Sequence, residues 1–199
     1  MGGFGAGQAM APRYVEVYNE PDGMFWVGSN ASFMMLFSAT VAAVRKAAKE
    51  GKWQVKVGGA GFVHGVTKKV GQSGSLAHDF FELVSPNDLD FVSAHYYGQC
   101  ADASLSDMAK WLQTLRKQVD DKGFAGKPLH ITEWNIGLGK KCGQKMYAGQ
   151  RLQSFVSGGL TLLQSDALNV EAAHFYAGVT VMALFSPAKD GGVVVNPSA

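Results

Sequence analysis

Short apolar runs alternate with longer amphipathic segments along almost the whole chain, and this alternation constrains the fold more than any other feature. Strand-like runs occur at about 14–19, 54–58, 90–95, 129–132 and 171–176. Apolar residues at helical spacing occupy the segments between them, at about 32–50, 75–84, 104–119 and 145–164. Strands that alternate with helices are typical of βαβ units, in which successive strands run parallel. The sequence therefore predicts an α/β fold with a parallel sheet, as part of a barrel or as a compact doubly wound sheet.

Two glutamates directly follow two of these strand-like runs. Glu20 lies in an Asn-Glu-Pro tripeptide after the first run, and Glu133 lies in Thr-Glu-Trp-Asn after the fourth. Because the active site of a (β/α) barrel lies at the carboxyl ends of its strands, both side chains are expected on that face. Glycosidic bond hydrolysis needs such a pair: one carboxyl protonates the leaving oxygen, and the other attacks the sugar or activates water. Glu20 and Glu133 are the candidate catalytic residues; the alternative is two strand-end glutamates without a catalytic role.

Four motifs, in order, resemble the clan A glycoside hydrolases, most closely family 39, which includes β-xylosidases and α-iduronidases. Residues 15–21 resemble the acid/base strand of that family, and residues 132–135 are similar to its nucleophile strand. Between them, residues 55–59 resemble the fifth barrel strand, and residues 90–97, with a His-x-Tyr ending, resemble the sixth. The resemblance covers roughly residues 13–199. It implies a retaining glycosidase, similar to β-xylosidases or β-glucosidases.

The resemblance also implies roles for the two glutamates and for the residues of the His-x-Tyr motif. Glu20 takes the place of the general acid/base, and Glu133 takes the place of the nucleophile. Tyr97 is expected to donate a hydrogen bond to Glu133. His95 is expected to line the sugar site or to tune Glu20, with a purely structural role as the alternative. Glu16 shares strand parity with Glu20, so it is predicted to point into the barrel as a polar core residue.

Three more residues are candidates for substrate binding. The family pattern implies that Asn19 hydrogen-bonds the sugar 2-hydroxyl, a contact that strengthens in the transition state. The alternative for Asn19 is a turn-forming residue before the proline that ends the motif. Trp134 and Trp26 are candidate platforms for the apolar face of a sugar ring, and ordinary packing is the alternative for both.

The number of strands is smaller than a complete barrel requires. A (β/α)8 barrel has eight units and takes about 250 residues, whereas this chain of 199 residues shows five strand-like runs. By the resemblance these runs match barrel strands four to eight, so we predict a partial TIM barrel, about five parallel strands alternating with helices. It forms one domain, residues 13–199, after a Gly-rich segment at 1–12, and its part from residue 177 is predicted to be irregular. Two further hypotheses follow: a truncated homologue, weak or inactive and at most a carbohydrate binder, and a homo-oligomer formed through exposed sheet edges.

Composition and charge limit the other classes of partner. The net charge is +2, and the 18 Lys and Arg residues are scattered along the chain, which indicates neither nucleic acid nor a membrane surface as a partner. No apolar run approaches the about 20 residues needed to span a bilayer, and no signal peptide is recognisable at residues 1–12. Neither a cofactor nor a metal is predicted, because the Gly-rich segments lack the phosphate-loop pattern and the histidines lack ligand spacing. Cys100 and Cys142, predicted in neighbouring loops, leave a disulfide and two free thiols as equal alternatives.

Overall fold

A computed structural model describes residues 12–63, 65–99, 103–138, 150–176, 185–187 and 193–195. Its main sheet has the strand order β1-β2-β3-β4-β5, all parallel, formed by Tyr14–Val17, Lys56–Phe62, Phe91–Tyr97, Leu129–Asn135 and Val170–Phe175. The helices are α1 Asn30–Gly51, α2 Val66–Lys69, α3 Leu76–Leu83, α4 Leu105–Val119 and α5 Gln150–Leu163. Sequential parallel strands joined by helical crossovers form a partial (β/α) barrel. The predicted fold class is therefore confirmed.

Some elements differ from the prediction. The short helix α2 and a π-helical turn at Asp120–Phe124 were not predicted. The segment predicted to be irregular contains an antiparallel pair of strands, β6 Phe185–Pro187 and β7 Val193–Val195. Each of these strands has three residues, too few for a period of two to be recognised in sequence. Cys100, Cys142 and the start of the predicted helix at 145–164 lie outside the described residues.

The helix α1 forms a large part of the core between the helices and the sheet. Ser29 caps its first turn by accepting from the Ser32 backbone N–H at 3.1 Å. Phe33, Phe37 and Val41 follow at helical spacing and are buried, and the Phe37 ring meets Phe80 of α3 edge to face at 4.9 Å. Among the described helices α1 is the one long and apolar enough to cross a membrane by length and composition, with a mean hydropathy of 1.2. One face of α1, with Phe33, Phe37 and Val41, packs in the core, whereas Met35 and Leu36 are exposed.

A polar cluster lies on the concave side of the sheet, below the carboxyl ends of the strands. The Tyr14 hydroxyl on β1 donates to Glu171 Oε1 on β5 at 3.2 Å, and Lys56 on β2 contacts the same oxygen at 2.6 Å. His130 on β4 contacts Glu171 Oε2 at 3.0 Å and stacks on the Phe91 ring at 3.9 Å. These contacts connect β1 and β5, the first and last strands of the sheet, across its concave face. The hydrogen bond from Lys56, followed by that from His130, lowers the pKa of Glu171 to about 2.

The lowered pKa of Glu171 predicts a pH-dependent contribution to stability. The folded-state pKa is below the ordinary value of 4.5, so the contribution is fully present above pH 4.5 and is lost as the pH falls through about 2. We expect Glu171→Gln to lower the thermal midpoint near neutral pH, and the difference from wild type to shrink as the pH approaches about 2. Thermal unfolding over this range measures it. Glu50→Gln, an exposed glutamate on α1, is the control, and a difference that stays constant with pH would contradict the assignment.

Candidate active site

The loop that follows β1 holds Glu20 in a defined position. Tyr18 and Glu20 both have positive φ values, 74° and 49°, so the chain turns sharply at the end of the strand. Such conformations cost about 1–3 kcal/mol in non-glycine residues and are enriched at functional sites, although Lys52 and Asn169 adopt them at helix ends. The Glu20 backbone N–H donates to the Gly61 carbonyl of β2 at 2.9 Å, and the Glu20 carbonyl accepts from the Gly23 N–H at 3.0 Å. The backbone of Glu20 is therefore fixed to the neighbouring strand.

Asp22 fixes the same loop from its other side. Its buried side chain accepts from the Val63 backbone N–H at 2.9 Å, and Lys69 of α2 approaches its Oδ2 at 3.3 Å. Burial raises the pKa of Asp22, while the Val63 N–H and the Lys69 charge oppose that shift. No local pattern in the sequence indicates a role for Asp22, because its partners Val63 and Lys69 are 41 and 47 residues away along the chain.

A register irregularity in β4 determines where Glu133 lies. Ala94 of β3 pairs with Ile131, but the next residue, His95, pairs with Glu133, so Thr132 is an extra residue in β4. An extra residue of this kind bends a strand and changes the direction of its side chains. Thr132 and Glu133 are both half-buried, and both contact residues on the concave side of the sheet. Glu133 therefore lies at the carboxyl end of its strand, opposite His95.

The two glutamates meet around His95 and Tyr97, which lie on β3 between their strands. His95 Nδ1 is 2.8 Å from Glu20 Oε1 and 3.6 Å from Glu133 Oε2. The Tyr97 hydroxyl donates to Glu133 Oε2 at 2.5 Å. One carboxylate oxygen of Glu20 and one of Glu133 lie within 4.8 Å of each other. The structure thus brings together four of the seven predicted site residues.

The electrostatic environment keeps Tyr97 protonated. Burial raises its pKa well above the ordinary value, and the hydrogen bond and negative charge of Glu133 raise it further. A phenol that stays neutral at all working pH values can only donate to the carboxylate it contacts. Tyr97 therefore holds one oxygen of Glu133 in place and leaves the other oxygen available. The intervening Tyr96 points to the opposite side and packs against Trp111 of α4.

Trp134 does not belong to the site, and its prediction as a sugar platform is wrong. Its side chain is 1% exposed and packs against Phe155 of α5 and Phe175 of β5. The sequence analysis ended the fourth strand at about residue 132, whereas β4 continues to Asn135. Alternation along this longer strand turns Trp134 away from the face that carries Glu133.

The remaining two predicted residues, Asn19 and Trp26, make no side-chain hydrogen bond or ring contact with the group around His95 among the described residues. Asn19 is exposed between Tyr18 and Glu20. Trp26 is half-buried, and its ring packs edge to face on Tyr18 and Phe33 at 5.5 Å in each case. This packing supports the structural alternative for Trp26, and its role toward a substrate stays a prediction.

The site could also offer ligands to a cation. Within the described part of the chain, Glu20, His95 and Glu133 are the one group of acidic or histidine side chains whose potential ligand atoms lie close together. Each of these side chains already has a hydrogen-bond or ionic partner within the group or in Tyr97. The arrangement suits proton transfer and nucleophilic attack, because two carboxyl groups face one another beside a phenol donor and an imidazole.

Comparisons with known proteins show the family and the fold. The model of the glycosyl hydrolase catalytic core family matches residues 4–184. No curated protein matches the chain at a significant level. Among solved structures, a monomeric β-xylosidase from Caulobacter crescentus CB15 is similar over 92% of this chain and 39% of its own, with 19% identity and a TM-score of 0.63.

Two further structures show the same fold. A glucosidase from Croceicoccus marinus is similar over 80% of this chain and 31% of its own, with 21% identity and a TM-score of 0.61. An α-L-arabinofuranosidase from Thermotoga maritima is similar over 92% of this chain and 36% of its own, with 18% identity and a TM-score of 0.61. The chain therefore spans between 31% and 39% of the length of these structures.

Proposed function

The chain belongs to the glycosyl hydrolase catalytic core family, and from this premise we propose that it hydrolyses glycosidic bonds with retention of anomeric configuration. Glu20 is the general acid/base and Glu133 is the nucleophile. The observation that carries the proposal is the approach of one carboxylate oxygen of Glu20 and one of Glu133 to within 4.8 Å of each other. Retaining glycosidases hold their carboxyl groups about 5–5.5 Å apart, whereas inverting enzymes leave about 6.5–9.5 Å for a water molecule. The separation here supports retention.

In the proposed reaction Glu20 donates its proton to the leaving oxygen while Glu133 attacks the anomeric carbon. The Tyr97 hydrogen bond to Glu133 Oε2 leaves Oε1 as the attacking atom. The glycosidic C–O bond breaks, the alcohol leaves with the proton from Glu20, and a covalent glycosyl-Glu133 ester forms. Glu20, now a carboxylate, then takes a proton from water, which attacks the anomeric carbon and releases the sugar and Glu133.

The substrate class we propose is a β-xyloside or β-glucoside. The support is the family 39-like motif order together with the xylosidase and glucosidase among the structural relatives. Asn19 is exposed directly before Glu20, which supports keeping it as a proposed contact to a sugar hydroxyl. Because one structural relative is an α-L-arabinofuranosidase, an α-L-arabinofuranoside is the first alternative substrate to test.

Hydrolysis of a panel of 4-nitrophenyl glycosides tests the proposal. We expect turnover of the xyloside or the glucoside, and a first-formed product with the same anomeric configuration as the substrate. Proton NMR of the reaction within its first minutes distinguishes the two anomers before they equilibrate. A product of inverted configuration would contradict the role of Glu133 as nucleophile while leaving glycosidase activity in place.

The second candidate function is carbohydrate binding without turnover. Within the described strands, β1 and β5 each have a partner on one side only, so these strands enclose the carboxylates from one side. A displacement of a reacting group by 1 Å can lower a rate by about 100-fold. Binding of xylose or glucose by a folded protein that turns over no glycoside would favour this candidate.

A homo-oligomer that pairs the edge strands β1 and β5 with those of a second copy of the chain stays a proposal.

A further inference from the structure

A third carboxylate, Glu16, lies below the two proposed catalytic glutamates. It is on β1, four residues before Glu20, and it accepts a hydrogen bond from the Thr132 hydroxyl at 2.7 Å. Thr132 directly precedes Glu133. In the sheet, β2 and β3 separate β1 from β4, so no backbone ladder joins the strands that carry Glu20 and Glu133. The Glu16–Thr132 contact joins them directly across the concave face.

The second ring nitrogen of His95 faces the same region. His95 is 1% exposed, and while its Nδ1 contacts Glu20, its Nε2 is buried and has no hydrogen-bond partner among the described protein groups. A Cβ placed on Gly61 would meet His95 Nε2 at 3.3 Å, Glu16 Oε1 at 3.4 Å and the Tyr18 carbonyl oxygen at 3.4 Å. The space that Gly61 leaves free is thus bordered by one ring nitrogen and two oxygens. A carboxylate and a carbonyl accept hydrogen bonds, so the ring nitrogen that faces them is favoured as the donor.

We propose that Glu16 is a positioning residue that holds the imidazole proton of His95 on Nε2 and holds Thr132 on the strand of Glu133. In a neutral imidazole with its proton on Nε2, Nδ1 is an acceptor. For this neutral ring the 2.8 Å contact between Nδ1 and Glu20 Oε1 places the shared proton on Glu20, and a doubly protonated ring in the ¹⁵N spectrum of the protein would contradict the proposal. Glu16 thereby keeps Glu20 in the acid form that the first step of the reaction uses. This inference rests on the proposed function for its role in the reaction, although the position of the proton is independent of it.

The position next to Gly61 has three polar atoms around one point, Glu16 Oε1, His95 Nε2 and the Tyr18 carbonyl oxygen. Two to four polar partners are what a buried water needs. Glu16 also lines, with Thr132, Tyr14, His130 and His174, a cavity of about 290 Å³ on the concave face, and His95 and Tyr18 do not line that cavity.

The location of the His95 proton is tested first by NMR of the imidazole nitrogens in ¹⁵N-labelled protein. His95→Asn identifies the resonances by their loss. We expect Nε2 to carry the proton in the wild type, and the proton to shift toward Nδ1 in Glu16→Gln, a variant of nearly the same size. Glu50→Gln, which changes an exposed glutamate on α1, should leave the spectrum unchanged. An identical His95 spectrum in wild type and Glu16→Gln would overturn the proposal.

The kinetic test compares two glycosides of the same sugar that differ in their need for acid assistance. We expect Glu16→Gln to lower kcat/KM for a phenyl glycoside by about tenfold, a part of the 10²–10⁴-fold that general acid catalysis supplies. The activated 2,4-dinitrophenyl glycoside should change little, because its leaving group needs no proton. Thr132→Val, which removes the hydroxyl that binds Glu16, should lower kcat for both substrates alike while the His95 spectrum stays unchanged. Thr114→Val, on an exposed helix face, is its control.

The outcomes separate this inference from the proposed function. Wild-type turnover together with an unchanged His95 spectrum and unchanged kinetics in Glu16→Gln overturns the positioning role and leaves the glycosidase intact. A folded wild type without turnover, in which Glu16→Gln still moves the His95 proton, overturns the glycosidase and supports the Glu16–His95 contact. An equal loss on both glycosides in Glu16→Gln, with an unchanged His95 spectrum, also overturns the proposal.

Discussion

Glu133→Gln is expected to lower kcat/KM for aryl glycosides by at least about 10⁴-fold, the order of loss seen when an enzyme nucleophile is removed. A neutral amide oxygen is a poor nucleophile toward an anomeric carbon, so the covalent intermediate cannot form. The amide still presents an oxygen to the Tyr97 hydroxyl, which contacts Glu133 Oε2 at 2.5 Å, so the fold should be preserved. Steady-state hydrolysis of 4-nitrophenyl glycosides measures the loss, and Glu50→Gln controls for removal of a carboxylate elsewhere.

The nucleophile can also be identified directly. A 2-deoxy-2-fluoro glycoside with an activated leaving group should trap the covalent ester, since the fluorine slows its hydrolysis. Mass spectrometry of the digested protein is expected to find the added sugar on the peptide that contains Glu133. Labelling of another peptide, or a Glu133→Gln variant with full activity, would contradict the assignment.

Glu20→Gln is expected to lower kcat/KM by about 10²–10⁴-fold on substrates with poor leaving groups, which is the contribution of general acid catalysis. The glutamine cannot donate a proton of suitable acidity to the leaving oxygen. The loss should become small on a 2,4-dinitrophenyl glycoside, because this leaving group departs without a proton. Rates on a series of aryl glycosides, ordered by the acidity of the released phenol, measure this dependence.

Added azide provides a second test of the same residue. In Glu20→Gln no general base activates the water of the second step, whereas azide attacks the glycosyl-enzyme without a base. Azide should therefore accelerate Glu20→Gln and give a glycosyl azide of retained configuration. A loss that is equal for all leaving groups and is not rescued by azide would assign Glu20 a structural role.

The two predictions depend on different contacts, so they test different parts of the site. Glu133 is held by Tyr97 and by the bend in β4, whereas Glu20 is held by backbone contacts to β2 and by His95. His95 links the two parts, because its Nδ1 also lies 3.6 Å from Glu133 Oε2. Because the His95 side chain contacts both glutamates, the free-energy effects of substituting Glu20 and Glu133 are expected to be non-additive.

The sequence alone predicted the parallel α/β fold and the two candidate glutamates. Apolar periodicity distinguishes strands from helices locally, and the connection rules for parallel strands then place the strand ends on one face. Glu20 and Glu133 directly follow the predicted strand-like runs, so topology places both at the same edge of the sheet, whereas the direction of the Glu133 side chain depends on the register of β4. The resemblance to family 39, and not the periodicity, implied the hydrogen bond from Tyr97 to Glu133 that the structure contains.

Tertiary structure alone decided which other residues belong to the candidate active site. Their contacts with the two glutamates depend on the register and the length of the strands. The extra residue at Thr132 directs both Thr132 and Glu133 to the concave side, and no local pattern in the sequence indicates it. The continuation of β4 to Asn135 buries Trp134 in the core, against the prediction. The Glu16–Thr132 contact joins residues 116 positions apart. Local periodicity predicts the face on which a side chain lies only when the boundaries and the register of its strand are known. Packing across the whole sheet sets those boundaries and that register.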